Sequence, residues 1–276
     1  MRSIAFSNRK GGCGKSSCVM HLGIRYAQSG MRVLLVDADP QASLSQGILG
    51  REALAIDPAE TLAGLYDFDG MPMANLVREG GRENLWIVPG HERMDHHNLP
   101  DPWESGAAQF ALRNALAEVR ESYDLVLIDT PPHIGLCGWS ALVAADAVVI
   151  PAQLEDFSIQ GVGAVIATIG QVREMVNPAL QLLGVLPVMV DRRIAVHASY
   201  AESAAEVYGP DLFAESIPAA ADIKVATTLR QGVTEFKRRG DAAKAIGRVA
   251  DEVLGRLAER CEGQGAEVPV ECKEVA

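Results

Sequence analysis

Short apolar runs alternate with longer stretches of helical periodicity along most of the chain. Each run is continuously apolar rather than alternately apolar and polar, which is typical of strands in a parallel sheet covered on both faces. The predicted strands span residues 3–7, 32–39, 84–90, 123–132, 145–153, 180–190 and, as a last edge candidate, 212–218.

The helical stretches lie between these strands. The predicted helices span residues 15–29, 105–121, 138–145, 158–176, 196–208 and 241–261. This alternation predicts a doubly wound α/β fold, with a mostly parallel sheet and helices on both faces. We expect a single domain over residues 1–262, a small helical insertion within 50–105 and a loose tail over 263–276.

Composition narrows the class of protein. Hydrophobic residues make up 48% of the 276 residues, enough for a substantial core. The formal net charge of −11 argues against general adsorption to nucleic acid, but not against a local basic surface. The five cysteines form no Cys-x-x-Cys pair, and no signal peptide or membrane-length apolar run occurs. We therefore expect a reduced, cytoplasmic protein.

Residues 8–17, NRKGGCGKSS, fall between the first predicted strand and the first predicted helix. A common phosphate-binding loop reads Gly-x-x-x-x-Gly-Lys-Ser/Thr, and here Arg9 replaces its first glycine. The predicted nucleotide-binding residues of the loop are Lys10, Gly11, Gly12, Cys13, Gly14, Lys15, Ser16 and Ser17. Glycines bring backbone N–H groups to phosphate oxygens, Lys15 reaches the β and γ phosphates, and Ser16 ligates Mg²⁺.

Aspartates end two of the apolar runs. Asp37 and Asp39 close LLVDADPQ, and Asp129 closes VLIDTPP. Ligands of doubly wound sheets bind at the carboxyl ends of strands, so we expect these carboxylates to share a crevice with the loop. They can order a metal ion and position an attacking water. From the residues alone, an aspartate before Pro40 is also good helix-capping chemistry, and that alternative stays open.

The stretches KGGCGKSS, LLVDADPQ and VLIDTPP resemble the deviant Walker A, Walker A′ and Walker B motifs of the ParA/MinD family of ATPases. The likeness covers residues 1–260 and implies an ATP- and Mg²⁺-dependent ATPase. It implies that Lys10 reaches the phosphates of a partner subunit in an ATP-bound homodimer, as an arginine finger does. It also makes Asp39 the water-activating acid, and Asp37 and Asp129 metal groups.

The same resemblance implies two residues that contact the adenine base and three possible functions of the protein. Asp191 and Pro218 are the adenine-contact candidates. One role is DNA partition, in which the dimer binds the nucleoid non-specifically and a ParB-like or adaptor protein stimulates slow hydrolysis. A second is membrane-associated positioning of the MinD type. A third is redox service, which is disfavoured because no cysteine lies between the second and third motifs.

A local excess of positive charge favours the DNA role. Residues 224–248 hold seven basic and two acidic side chains in an acidic chain. The predicted DNA-binding residues are Lys224, Arg230, Lys237, Arg238 and Arg239. Such a group can follow phosphates without reading sequence. The acidic tail opposes binding to anionic lipid. A nucleotide-switched regulator without DNA cargo remains the other alternative.

Overall fold

The computed structural model describes residues 1–67, 71–97, 101–154, 159–191 and 193–261. The predicted tail lies outside these residues, as does Arg192, a neighbour of the predicted base contacts. Within the described ranges, no helix is long and apolar enough to cross a bilayer.

Eight strands form one sheet. They are β1 (Arg2–Phe6), β2 (Val33–Asp37), β3 (Arg78–Arg82), β4 (Leu85–Val88), β5 (Leu125–Asp129), β6 (Ala147–Gln153), β7 (Gln181–Val190) and β8 (Ile217–Pro218). Their order is β3-β4-β2-β5-β1-β6-β7-β8, and every pair except β3–β4 is parallel. The mostly parallel doubly wound fold is confirmed.

Helices cover both faces of this sheet. They are α1 (Lys15–Gln28), α2 (Ser43–Leu49), α3 (Leu62–Asp67), α4 (Met73–Leu76), α5 (Ala111–Glu118), α6 (Leu136–Ala144), α7 (Ile159–Met175), α8 (Ala195–Tyr208), α9 (Ala221–Thr228), α10 (Val233–Phe236) and α11 (Asp241–Cys261). One core packs α5, α6 and α7 against the sheet, and the other packs α1, α9, α10 and α11.

Large buried side chains join the layers on each face. Trp139 of α6 is fully buried, and its indole N–H donates to Gln109 at 3.1 Å. On the other face Tyr26 of α1 donates its hydroxyl to the carbonyl of Ala250 in α11 at 3.0 Å. Each polar tip is satisfied inside an apolar layer, so both aromatic groups can be buried without an unmet hydrogen bond.

The structure differs from the predicted elements in several places. Helices α2, α9 and α10 were not predicted. Residues 105–121 begin as a 3₁₀ helix at Gly106–Phe110 and become α-helical only at Ala111–Glu118. The edge strand expected over 212–218 shrinks to Ile217–Pro218, with Leu212 forming one isolated bridge to Val185. Strand β3 was not predicted, because its sequence REGGR is polar and pairs only as an antiparallel edge.

Strand order places the predicted motifs at one edge. β1 lies between β5 and β6, and β2 lies on the other side of β5. Asp129 at the end of β5 is in register with Phe6 of β1 and with Asp37 of β2. The loop after β1 and the carboxylates after β2 and β5 therefore emerge side by side, where the chain reverses its winding direction.

Candidate nucleotide site

The loop after β1 curls through left-handed glycines into the start of α1. Gly12 and Gly14 have φ of 75° and 85°, and Gly14 is the N-cap residue of α1. Such a backbone suits glycine because a side chain there is strained. A Cβ on Gly14 would also lie 3.4 Å from the Met189 methyl carbon. The loop therefore brings backbone N–H groups and a helix N-terminus to one small concavity.

Lys15 is held inside this loop. Only 6% of it is exposed, and its Nζ donates to the carbonyls of Asn8 at 3.1 Å and Lys10 at 3.3 Å. The Asn8 side chain accepts from the Lys10 backbone N–H at 3.0 Å and donates to the Pro151 carbonyl at 2.6 Å. Cys13 is fully buried beneath the loop, 4.0 Å from the lysine amine. The ammonium is thus held by two backbone carbonyls and the Cys13 sulfur, with no carboxylate of the described residues among its hydrogen-bond partners.

The three predicted carboxylates meet at the carboxyl edge. Asp37 and Asp129 are fully buried and Asp39 is 9% exposed. Asp37 accepts from the Ser45 backbone N–H at 2.8 Å and from its hydroxyl at 2.6 Å. Asp39 accepts from the Gln41 N–H at 3.0 Å, as in an Asx turn, and it does not cap a helix, because α2 begins at Ser43 with Ala42 as its N-cap residue.

Gly90, which the sequence did not single out, fixes the position of these carboxylates. It follows β4, and a Cβ there would lie 2.8 Å from the carbonyl oxygens of both Asp37 and Asp39. Its N–H donates to the Ser45 hydroxyl at 2.9 Å, which in turn holds Asp37. Only a glycine permits this approach between the ends of β2 and β4. No local signal marks it, because the contact is formed across strands.

Burial raises the pKa of all three carboxyl groups. For Asp129 burial acts first and the charge of Asp37 second, while the Ser16 hydroxyl lowers the pKa only in part. For Asp37 burial outweighs the two hydrogen bonds from Ser45. For Asp39 burial again leads, opposed by the Gln41 N–H and the charge of Lys15. Concentrating acids in a buried cleft favours a bound cation, which would reverse these shifts.

The oxygen ligands at this edge suit Mg²⁺ held by a few protein groups, rather than a metal ion enclosed entirely by side chains. Neither carboxylate oxygen of Asp129 has a hydrogen-bond partner of good geometry within the described residues, although both are buried. Over the same residues, no group of three or more His, Cys, Asp or Glu side chains could hold a metal ion by itself. Mg²⁺ commonly takes one or two protein oxygens and completes its shell with water and phosphates. Asp129 and Ser16 meet that requirement, with Asp37 behind them.

Lys10 lies at the mouth of the site. Its Nζ is 3.3 Å from the Gln153 side-chain oxygen at the end of β6. The Gln153 amide in turn lies 2.8 Å from the Met189 sulfur. Met189 has a φ of 55°, a left-handed conformation that turns β7 toward the loop. Gln153 and Met189 were not predicted, because their contacts join strands far apart in sequence.

The two predicted base contacts line one cavity. Asp191 and Pro218 lie at the ends of β7 and β8, on a cavity of about 450 Å³ next to the loop-facing Met189. The Asp191 carboxylate accepts from Arg193 at 2.7 and 2.9 Å through the guanidinium. The cavity is large enough for a nucleobase, and its remaining lining includes Lys244 and Arg248.

Four of the five predicted DNA-binding residues lie on one exposed surface. We define the α9/α10 surface as Lys224, Val225, Leu229, Phe236, Lys237, Arg238 and Arg239. Arg230 departs from it, because its guanidinium donates to the Leu49 carbonyl at 3.4 Å, at the end of α2. Lys237 forms an ion pair of 2.9 Å with Asp222. Lys244 and Arg248 belong to the cavity described above rather than to this surface.

Comparisons with known proteins show which sequences this chain is similar to. The sequence matches a family described as an AAA domain over residues 1–182. It is 33% identical to the chromosome-partitioning ATPase Soj of Thermus thermophilus, over 94% of this chain and 98% of that protein. It is 30% identical to the chromosome partitioning protein ParA of Caulobacter vibrioides, over 94% and 96%.

The fold is also similar to a solved structure that carries a nucleotide. That structure, described as cobyrinic acid a,c-diamide synthase from Mycobacterium smegmatis, contains an ATP analogue and magnesium. The TM-score is 0.76 with 28% identity, and the match covers 98% of both chains.

Proposed function

This chain belongs to the ParA/MinD family of ATPases, and we propose that it is a partition or positioning ATPase of the ParA type. In this proposal it binds ATP and Mg²⁺, forms an ATP-dependent homodimer, binds DNA non-specifically and hydrolyses ATP slowly. The observation that carries it is a division of charge. The acids and Lys15 lie at the carboxyl edge of the sheet, whereas the α9/α10 surface carries four cations, of which one, Lys237, pairs with an acid.

The chain's own residues supply the phosphate site. Lys15 exchanges its two backbone carbonyl partners for phosphate oxygens, while the N–H groups of Gly11 to Gly14 and the α1 N-terminus face the same anion. Ser16 and Asp129 would hold Mg²⁺, and Asp37 would add negative charge from the end of the neighbouring strand. Bound Mg²⁺ neutralises charge on the phosphates and fixes their orientation. Asp191 and Pro218 contact the base.

Hydrolysis requires a water and a cation placed on either side of the γ phosphate. Asp39 is the carboxylate nearest to solvent in the acidic cluster, so it positions and deprotonates the water. Lys10 supplies the cation across a dimer interface. Within one chain the Lys10 Nζ lies 3.3 Å from the Gln153 side-chain oxygen, and in this proposal it reaches the γ phosphate of the partner subunit only in the dimer. This accounts for a slow intrinsic rate and leaves room for stimulation by a ParB-like or adaptor protein.

DNA binding is assigned to the cations of the α9/α10 surface. Among the residues that the structure describes, Lys224, Arg238 and Arg239 form no ion pair, so their charges are available to phosphates. A chain of net charge −11 needs such a local surface to approach DNA. A protein acting this way is nucleoid-associated in the cytoplasm.

A membrane role of the MinD type is the second candidate. It is favoured by one observation, the exposure of Val225, Leu229 and Phe236 among the same cations. A basic and apolar surface is also what an anionic bilayer attracts.

Co-sedimentation distinguishes the candidates. The full chain is spun with duplex DNA of random sequence, or with vesicles containing anionic lipid, in ATP, in ADP and without nucleotide. The proposal predicts DNA pelleting that depends on ATP and weakens with salt. Pelleting only with vesicles would replace it with the membrane role. Binding to neither would leave an ATPase without DNA cargo.

A further inference from the structure

The α9/α10 surface carries apolar side chains that phosphate binding does not explain. Val225, Leu229 and Phe236 are 43%, 52% and 37% exposed. Lys224, Val225 and Leu229 recur at helical spacing, so they share the outer face of α9 and its end. Non-specific contacts to a DNA backbone use cations and polar groups rather than aliphatic ones. The arrangement instead fits a ligand that is acidic and apolar at once.

The positive charge of this surface is only partly balanced from within. Asp222 pairs with Lys237 at 2.9 Å. Glu235, the nearest other acid on α10, is occupied by Arg82 at 2.8 Å. No acidic side chain of the described residues pairs with Arg238 or Arg239, which directly follow Lys237. The surface therefore keeps a net positive charge beside its apolar groups.

We propose that residues 262–276 of the same chain dock on the α9/α10 surface and cover it. Their sequence, EGQGAEVPVECKEVA, has four glutamates against one lysine and places valines at 268, 270 and 275. Acidic and apolar residues are interleaved, which complements the interleaved cations and apolar groups of the surface. The stretch contains no aromatic residue and little helical periodicity, so an extended docked segment suits it.

The length of the chain allows this contact. Helix α11 begins at Asp241, two residues after Arg239, and its 21 residues span about 31 Å. An extended chain gains about 3.3 Å per residue, so the ten residues from Cys261 to Glu271 cover about 33 Å. Glu271 and Glu274 can therefore return to the cations at the start of α11. Glu262 and Glu267 stop short of them.

Tethering makes even a weak contact significant. A segment attached by a short linker meets its site at an effective concentration of order millimolar, so a contact that is weak between separate molecules is well populated. The docked segment would occupy the cations proposed for DNA, and DNA would displace it. That consequence rests on the proposed function, whereas the docking itself does not.

Paramagnetic broadening measures the contact directly. A nitroxide is attached to Cys272 in the full chain carrying Cys261→Ser, since Cys13, Cys18 and Cys137 are buried. At low salt we expect broadening of backbone amides at Leu229 and at 236–239. Absence of broadening there, or broadening centred on another surface, would overturn the proposal. Equal broadening in a mixture of labelled and isotope-enriched chains would also overturn it, because the contact would then join two molecules.

A matched pair of charge reversals tests the mechanism. Glu271→Lys with Glu274→Lys should abolish the broadening. Glu262→Lys with Glu267→Lys changes net charge by the same amount at positions that do not reach the surface, and should leave the broadening intact. If both pairs of substitutions change the broadening equally, the change is caused by the overall net charge, and the docking model is wrong.

The same pairs in the natural cysteine background give a readout that does not depend on the label. With ATP, the reaching pair should bind duplex DNA about threefold or more tightly than the control pair. Equal affinity would contradict masking of the cations by the segment. If no variant binds DNA, the proposed function fails, while the broadening experiment still decides whether the segment docks.

Discussion

At the scale of single residues, the two lysines of the loop lie in different surroundings. Lys15 is buried and its amine donates to backbone carbonyls, whereas Lys10 is exposed and its amine lies 3.3 Å from the Gln153 side-chain oxygen. A buried cation such as Lys15 can bind a phosphate that enters the loop, whereas an exposed cation such as Lys10 can leave one contact and form another. We therefore expect substitutions of the two lysines to have different effects.

Lys15→Ala should abolish ATP binding. The substitution removes the buried cation of the loop, which would contact the phosphates directly, so we expect at least about a 100-fold loss of affinity. Titration calorimetry with a non-hydrolysable ATP analogue measures it. Lys10→Ala is the control, since it should bind ATP normally while failing to dimerise. Retained affinity in Lys15→Ala would contradict the loop assignment.

Asp39→Ala should leave an ATP-bound dimer that does not turn over. Loss of a general base costs about 10²- to 10⁴-fold in rate, while Lys15 and the loop stay in place to bind nucleotide. Phosphate release and light scattering are measured together. Gln41→Ala, which keeps the Asp39 carboxylate and the backbone N–H that holds it, should hydrolyse ATP at close to the normal rate. Normal turnover in Asp39→Ala would move the catalytic role to another group.

The sequence indicated several residues that the structure brings together at the carboxyl edge, but not the residues that position them. A glycine-rich loop after a strand and an aspartate at a strand end are local patterns, so Lys15, Asp37 and Asp129 could be named from sequence. Ser45 and Gly90 hold Asp37 through contacts between separate strands and helices. A single sequence does not reveal such contacts, because a serine or glycine that makes one has the same kind of local sequence as a serine or glycine that does not.

At the scale of elements, α9 and α10 are anchored to α1 through one buried histidine. The ring nitrogen Nδ1 of His21 accepts the Val233 N–H at 3.1 Å, and Nε2 lies 3.1 Å from the Thr227 hydroxyl. Thr227 donates its own proton to the Ile223 carbonyl, so it accepts from Nε2. His21 is therefore neutral, with its proton on Nε2. Charging it would break the contact with Val233.

Acid should weaken this anchor. Burial lowers the pKa of His21 from 6.5 to about 4, so the unfolded chain binds the proton more tightly than the folded chain. Stability is therefore fully present above pH 6.5 and falls as pH drops toward 4, by up to about 3 kcal/mol. Urea unfolding of wild type and His21→Gln across this range measures it. An unchanged pH slope in His21→Gln would contradict the assignment.

Arg256 similarly fastens α11 to the strand edge. Its guanidinium donates to the carbonyls of Leu183 at 2.9 Å and Leu212 at 2.6 Å, and lies 4.3 Å from the centre of the Phe213 ring. Arg256→Ala should cost about 2–4 kcal/mol of unfolding free energy, because buried carbonyls lose charged donors. Arg248→Ala, which removes a half-exposed ion pair, should cost about 0–1 kcal/mol. Chemical denaturation without nucleotide compares them, and equal costs would contradict the assigned role.

Element types were predictable where burial is uniform. Strands β5, β6 and β7 are apolar on both faces, so their runs indicated strands with little ambiguity. Strand β3 is a polar edge, and α9 and α10 are too short for a clear period. These elements exist because neighbouring parts of the fold, such as His21 for α10, complete their hydrogen bonds. The sequence pattern therefore indicated the core layers better than the surface layers.

At the scale of the whole molecule, an acidic protein carries its nucleotide site and its cationic surface on connected elements. The loop is continuous with α1, and His21 of α1 holds α9 and α10. A change in the conformation of the α1 N-terminus can therefore be transmitted along α1 to the α9/α10 surface. Dimerisation would also double the number of cations that contact one DNA molecule. Because the second subunit then binds a DNA molecule that is already bound, the affinities of the two subunits multiply rather than add.

The salt dependence of DNA binding tests the central claim, nucleotide-switched binding through the α9/α10 surface. Affinity for random duplex DNA is measured with ATP and with ADP across a salt series. The substitutions Lys237→Ala, Arg238→Ala and Arg239→Ala are combined in one variant. Arg2→Ala, Arg113→Ala and Arg120→Ala form the control, with the same change of charge on exposed residues elsewhere.

We predict strong binding only with ATP, and a slope of log affinity against log salt that is shallower by about two to three in the first variant. The control variant should keep the slope of the natural protein. Binding that ignores nucleotide, or equal slopes in all three proteins, would contradict the account.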